Sequence, residues 1–73
     1  MEIEFTCNLN QIMYNRDLSF RQLEIMTGIG YSMLNSIANE NRNPSLHNIF
    51  AICLALNISF EELYSYEKSI SVH

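Results

Sequence analysis

Helix-capping patterns recur along this chain of 73 residues, and each precedes a run of apolar residues at helical spacing. In each pattern a Ser or Asn is followed three residues later by Gln or Glu, so that each side chain can accept a hydrogen bond from a free backbone N–H of the first helical turn. The pairs are Asn8 with Gln11, Ser19 with Gln22, and Ser59 with Glu62. Because a chain this short buries only about 60% of its unfolded surface, we expect short helices around one small core, in a single domain over residues 1–73.

The spacing of apolar residues predicts helices over residues 9–16, 20–27, 30–39, 46–56 and 60–64. Gly28 is expected to end the second helix, because glycine adopts the left-handed conformation without a side-chain penalty. The apolar side chain of Ile29 is expected to pack beneath the turn that follows. Ser45 caps the fourth helix after the turn residues 41–44. The side chains expected to point inward are Leu23, Met26, Leu34, Ile37, Ala38, Ile49, Phe50, Ile52, Cys53, Leu56, Phe60 and Leu63.

Both ends of the chain alternate polar and apolar residues, which is the pattern of a β-strand. The alternation runs over residues 2–7 and again over residues 69–72. Either these segments pair with each other, or they pair across a dimer, or they are frayed termini.

Charge is scarce and lies mainly at the ends of the chain. Lys and Arg number 4 against 8 Asp and Glu, a net charge of −4, whereas nucleic-acid-binding domains are typically basic. Residues 8–60 are neutral overall, since Arg16, Arg21 and Arg42 balance three carboxylates there. A recognition surface in this region must therefore depend on Asn and Ser side chains more than on charge.

The cysteines and histidines give no sign of a metal or catalytic site. Cys7, Cys53, His47 and His73 lack metal-ligand spacing, so we expect neither zinc nor another cofactor. His47 has no nucleophile or second base near it in sequence, so we expect no enzyme. Without a signal peptide or an apolar run of about 18 residues, the chain is predicted to be cytoplasmic and not membrane-bound, with reduced thiols and Cys53 in the core.

The middle of the chain combines a capped helix, a glycine turn and a helix with a polar, uncharged face, which is the arrangement of a helix-turn-helix. Five segments carry a closer resemblance. They are Leu18-Ser19-Phe20-Arg21-Gln22-Leu23, Thr27-Gly28-Ile29, Leu34-Asn35-Ser36-Ile37, Asn39-Glu40-Asn41-Arg42-Asn43-Pro44-Ser45, and Ala55-Leu56-Asn57-Ile58-Ser59-Phe60-Glu61-Glu62-Leu63.

Over residues 9–65 the sequence resembles the Cro/lambda-repressor family, also called Xre-type. The resemblance implies an all-α, five-helix DNA-binding domain that regulates transcription, with residues 1–7 and 66–73 as terminal extensions. It further implies a repressor that binds a palindromic operator as a dimer.

The resemblance also implies two sets of DNA contacts. The base-reading positions are Tyr31, Ser32, Asn35 and Ser36 in the third helix. The phosphate-binding positions are Ser19, Arg21, Arg42, Asn43 and Ser45. The chemistry is suitable, because Asn bonds bidentately to adenine and hydroxyls bond to any base, while helix N-termini offer free N–H groups to an anion.

Some positions depart from the family's pattern, which has Gln at Phe20, Ala at Glu24, Glu at Ala38 and Gly at Glu40. Glu24 has the largest consequence, because a small residue there lets the second and third helices approach closely. Either the helices cross at a wider distance, or the carboxylate reaches solvent or a partner such as Tyr31 or Arg21, since a buried unpaired carboxylate is costly.

With so few arginines, counterion release is modest, and one subunit should bind non-specific DNA no better than about 10⁻⁴ M. DNA binding therefore requires a homodimer, whose reading helices would lie about 34 Å apart. The candidate dimer surface comprises Phe60, Tyr64, Tyr66 and Ile70, unless these residues pack into the core. An alternative from another class is a protein-interaction module, antitoxin-like or antirepressor-like, with weak or no DNA binding and a protein as its partner.

Overall fold

The structure, a computed structural model, describes residues 1–40 and 43–69. The elements follow in the order β1 (Glu2–Cys7), α1 (Leu9–Asn15), α2 (Phe20–Thr27), α3 (Tyr31–Asn39), α4 (Leu46–Leu56), α5 (Phe60–Leu63) and β2 (Tyr64–Ser69). The five predicted helices are confirmed, each with bounds within one residue of those expected. A two-stranded antiparallel sheet accompanies them.

Capping explains where several of these helices begin. Ser19 Oγ accepts from the backbone N–H of Gln22 at 3.1 Å, and Gln22 Oε1 accepts from the backbone N–H of Ser19 at 2.8 Å. Ser59 and Glu62 form the same reciprocal pair at the start of α5. Ser45 Oγ caps α4 by accepting from the N–H of Asn48.

The capping role predicted for Asn8 was wrong. Its backbone, with ψ near 12°, lacks the extended conformation of the other caps, and its side chain makes no cap bond to α1. Asn8 Nδ2 donates instead to the carbonyl of Glu62 at 3.2 Å and to Ser65 Oγ at 3.1 Å. Asn8 therefore ties the start of α1 to the junction between α5 and β2.

The core receives side chains from all five helices, the α2–α3 turn and β2. The buried residues are Leu9, Met13, Leu23, Ile29, Leu34, Ile37, Ile52, Cys53, Leu56, Leu63 and Tyr64. Ile29 in the turn and Cys53 in α4 are buried as expected. Burial raises the pKa of the Cys53 thiol, and the charge of Glu62 raises it further.

Three side chains predicted to point inward are exposed instead: Met26 (48%), Phe50 (57%) and Phe60. In α2 the stripe facing the core passes through Leu23 and Thr27, so Met26 lies to one side of it. In α4 the buried residues start at Ile52, and Phe50 lies on the far side of the cylinder. Apolarity over much of a helix does not by itself tell which face packs.

The ends of the described chain pair with each other. β1 and β2 run antiparallel with a register from Glu2 opposite Ser69 to Cys7 opposite Tyr64. The first strand matches its prediction, but the second begins directly after α5 instead of at residue 69, and residues 70–72 of the predicted strand lie outside the described residues. The backbone N–H of Asn8 donates to the carbonyl of Leu63 at 2.7 Å, which continues the pairing into the helical body.

Tyr64, a residue of the candidate dimer surface, is buried, and its relative exposure is only 6%. Its hydroxyl has no hydrogen-bond partner within residues 1–40 and 43–69. Burial, followed by the neighbouring Cys7 thiol, raises the pKa of the Tyr64 hydroxyl. Tyr64 is therefore a core residue, whereas Tyr66 and Phe60 keep exposed surface.

Candidate nucleic-acid interface

The turn between α2 and α3 sets the position of α3. Gly28 has φ of +76°, a left-handed conformation, and its N–H donates to the carbonyl of Glu24 at 2.8 Å, which ends α2. Ile29 then enters the core, and Gly30 stands as the residue that precedes α3. This turn presents α3 beside α2, as in a helix-turn-helix.

The exposed side of α3 carries the residues predicted to read bases. Tyr31, Ser32 and Asn35 are exposed, and Ser36 is half-buried. Leu34 and Ile37 occupy the opposite side and are fully packed. The accessibility that base reading requires of Tyr31 and Asn35 is therefore present, and their contacts with DNA stay predictions.

A chain of amides extends this polar surface. Asn39 Nδ2 donates to Asn35 Oδ1 at 2.9 Å and to the Asn35 backbone carbonyl at 3.1 Å, and Asn10 Nδ2 donates to Asn39 Oδ1 at 2.6 Å. Neither Asn10 nor Asn39 was predicted from the sequence to take part in this surface. The i,i+4 spacing of Asn35 and Asn39 is a signal that could have found one of them, whereas nothing in the sequence links Asn10 to α3. Since an amide oxygen accepts two bonds, Asn35 retains an acceptor site and its NH₂ group for an adenine edge.

The carboxylate of Glu24 lies at the start of α3. Glu24 Oε2 accepts from the backbone N–H of Tyr31 at 3.0 Å, and Glu24 Oε1 lies 3.9 Å from Arg21 Nη1. The Glu24 side chain is 36% exposed. Of the alternatives left open for this carboxylate, the structure shows contact with both Tyr31 and Arg21, and part of the side chain also reaches solvent.

Aromatic and cation–π contacts also lie at the start of α3. The rings of Phe20 and Tyr31 meet edge to face, with centroids 5.9 Å apart, and the Arg21 guanidinium lies 5.0 Å from the centroid of the Tyr31 ring. Phe20 is half-buried and is thus part of the packing between α2 and α3. Such a cation–π contact favours one orientation of the Tyr31 ring.

The predicted phosphate-binding residues lie at two helix starts and in the segment before α4. Ser19 and Ser45 both cap helices with their hydroxyls, and Arg21 and Asn43 are exposed. Arg42 lies outside the described residues. The N–H groups of the first turns of α2 and α4 carry the partial positive charge that favours an anion.

The remaining cations of the described residues lie elsewhere. Arg16 Nη1 donates to the backbone carbonyl of Leu56 at the end of α4, where a cation complements the negative end of the helix dipole. Lys68 lies in β2. Within residues 1–40 and 43–69, no three His, Cys, Asp or Glu side chains are grouped to hold a metal, and no helix is long and apolar enough to cross a bilayer.

This architecture and this surface define a helix-turn-helix domain. The family model of the Cro/C1-type HTH DNA-binding domain matches residues 8–69, and the chain therefore belongs to that family. The chain is also similar to a crystal structure (form II) of the transcriptional regulator VanUg, with a TM-score of 0.75 and 24% sequence identity over 94% of this chain and 92% of that one. At that identity the likeness shows a shared fold. None of the curated proteins matches the sequence.

Proposed function

We propose that this protein is a sequence-specific DNA-binding transcriptional regulator, a repressor that acts in the cytoplasm as a homodimer on a palindromic operator. The observation that carries the proposal is the exposed, uncharged polar side of α3 behind a tight glycine turn, in a chain that belongs to a DNA-binding family. In a helix-turn-helix this helix enters the major groove.

The residues on α3 supply the chemistry for reading bases. Asn35 pairs bidentately with an adenine, Ser32 and Ser36 bond to donors or acceptors, and Tyr31 contacts a thymine methyl or donates from its hydroxyl. Each good bidentate contact discriminates between bases by about 1–3 kcal/mol. Specificity then arises from hydrogen bonding and shape, which suits a region with zero net charge.

Phosphate contacts set the register of the protein on the duplex. Arg21 has a side chain that is 77% exposed and a 3.9 Å ion pair, which is weak enough to be exchanged for a phosphate. Arg42, Asn43 and the N-termini of α2 and α4, at Ser19 and Ser45, complete the set. These groups position the domain but carry no sequence information of their own.

Dimerisation compensates for the small number of cations. Two subunits double the phosphate contacts and present two reading helices to successive major grooves. Exposed aromatic rings provide a surface for dimerisation. The ring centroid of Phe5 lies 6.1 Å from that of Phe60 and 6.2 Å from that of Tyr66, and all three rings are partly open to solvent. Such a patch is suited to contact with a second copy.

Selection from a random pool of duplex DNA at low salt tests the proposal. We expect enrichment of a palindromic sequence with half-sites separated by about one helical turn. Arg42→Ala should weaken binding to all sequences alike and reduce the slope of log K against log[salt] by about one. Arg16→Ala is the matched control, because its guanidinium is bonded to Leu56, and it should leave that slope unchanged.

A second function is favoured by one observation. A carboxylate, Glu24, lies at the N-terminus of α3 and beside Arg21. This arrangement lowers the positive potential that DNA would meet and suits a protein-interaction module on the same scaffold. Absence of any enriched sequence, together with a stoichiometric complex with a purified protein partner, would support that module over the regulator.

A further inference from the structure

The start of α3 lacks a cap of its own. The first N–H groups of a helix have no partner within the helix, and a Ser, Thr, Asn or Asp in the capping position usually satisfies one of them. Here the capping position is Gly30, which has no side chain and forms no such bond. Glu24 reaches across the turn from α2, and its Oε2 accepts from the N–H of Tyr31 at 3.0 Å.

The Tyr31 side chain is held by residues that lie around the same carboxylate. Glu24 Oε1 lies 3.9 Å from the guanidinium of Arg21, which in turn lies 5.0 Å from the Tyr31 ring centroid. The ring of Phe20 makes a second contact with the Tyr31 ring, edge to face, with the two centroids 5.9 Å apart. The backbone and the ring of Tyr31 are therefore both fixed by side chains of α2.

We propose that Glu24 is a positioning residue for DNA recognition: it fixes the start of α3, and with it Tyr31, and so contributes to sequence specificity without touching a base. The inference rests on the proposed function, because it concerns the surface assigned there to DNA. An exposed ring that is already held in place loses less conformational freedom on binding than a free one. Ordering one such side chain costs an amount equivalent to about two- to tenfold in affinity.

The negative charge of Glu24 affects DNA binding separately from its hydrogen bond to Tyr31. A carboxylate near the duplex opposes binding to every sequence, so its removal tightens specific and non-specific binding together. Glu24→Gln removes the charge but keeps an oxygen that can accept from Tyr31. Glu24→Ala removes both. The comparison of these two variants isolates the hydrogen bond from the charge.

The test measures the ratio of affinities for the selected sequence and for a scrambled duplex, by fluorescence anisotropy at one salt concentration. We expect Glu24→Gln to keep the parent ratio within about twofold, and Glu24→Ala to lower it about two- to tenfold. In a Tyr31→Ala background, Glu24→Ala should cause a smaller further loss, because the ring is already absent while the bond from the residue-31 backbone N–H to Glu24 is still there to be lost. An unchanged ratio in Glu24→Ala, or an equal loss in Glu24→Gln, would overturn the proposal.

A second readout requires no DNA. The bond to Glu24 protects the Tyr31 amide from hydrogen exchange, so Glu24→Ala should speed that exchange while Glu24→Gln leaves it slow. Equal exchange in both variants would again overturn the positioning role. If the parent protein itself prefers no sequence, the proposed function fails, and that result is distinct from a parent that discriminates while Glu24→Ala discriminates equally well.

Discussion

The two glycines of the α2–α3 turn give a prediction that depends only on backbone conformation. Gly28 has φ of +76°, and a Cβ added there would meet no atom within 4 Å, so Gly28→Ala involves no steric clash. The left-handed conformation costs a non-glycine residue about 1–2 kcal/mol, and the loss of unfolded-state freedom returns about 0.4–1 kcal/mol. We therefore expect Gly28→Ala to lower the free energy of unfolding by about 1 kcal/mol, which corresponds to about 4–8 °C in Tm for a domain of this size.

Gly30→Ala is the matched control, two residues further along the same turn. Gly30 has φ of −61°, which alanine adopts readily, and a Cβ there would lie 4.0 Å from Glu24 Oε2, an ordinary contact. Alanine restricts the unfolded chain more than glycine does, which favours folding, but it is a poorer N-cap residue. These effects oppose each other, so Gly30→Ala should change the free energy of unfolding by less than about 0.5 kcal/mol. Urea unfolding followed by circular dichroism measures both. If Gly30→Ala destabilised the domain as much as Gly28→Ala, the left-handed φ of Gly28 would not be the cause of the destabilisation.

Four further predictions concern individual polar groups and the pH dependence of stability. Ser19→Ala removes the cap of α2 and should lower the free energy of unfolding by about 1 kcal/mol in urea. Arg16→Ala frees the carbonyl of Leu56 and should cost about 1 kcal/mol in the same assay, whereas no change would mean that the bond contributes nothing. Burial holds Cys53 and Tyr64 neutral in the folded state and raises the pKa of each, so the unfolded chain releases these protons first. Stability should therefore be complete below the ordinary thiol pKa of 9.0 and fall as pH rises above it. Tyr64→Phe, which removes a buried hydroxyl without a partner in the described part of the chain, should not lower stability and should reduce this alkaline loss.

The helices could be predicted because their signals are local. A Ser followed by Gln or Glu, a glycine at a helix end and the 3.6-residue period each lie within one or two turns of the chain, and Ser19, Ser59 and Gly28 act as the pattern predicts. The failure at Asn8 has a tertiary cause, since its amide is drawn to Glu62 and Ser65, more than fifty residues away.

The packing faces and the second strand were harder to predict. Phe50 and Met26 are apolar but exposed, because which side of a helix is buried depends on neighbours that the sequence does not specify. The start of β2 at Tyr64 was missed because α5 leads into it directly, without a turn signal. The family resemblance identified Tyr31 and Asn35 as candidate DNA-contacting residues. The hydrogen bond from Asn10 to Asn39 of α3 could not be predicted, because only the tertiary fold brings these two residues together.

The effect of Asn35→Ala on base preference tests the central claim most directly. The parent and the variant are each subjected to the same selection from random duplexes, and the enriched sequences are compared position by position. If α3 reads DNA through its uncharged polar side, the variant should lose preference at one base pair of each half-site, by about 1–3 kcal/mol, and keep the others. An enriched sequence identical to the parent's would contradict the account.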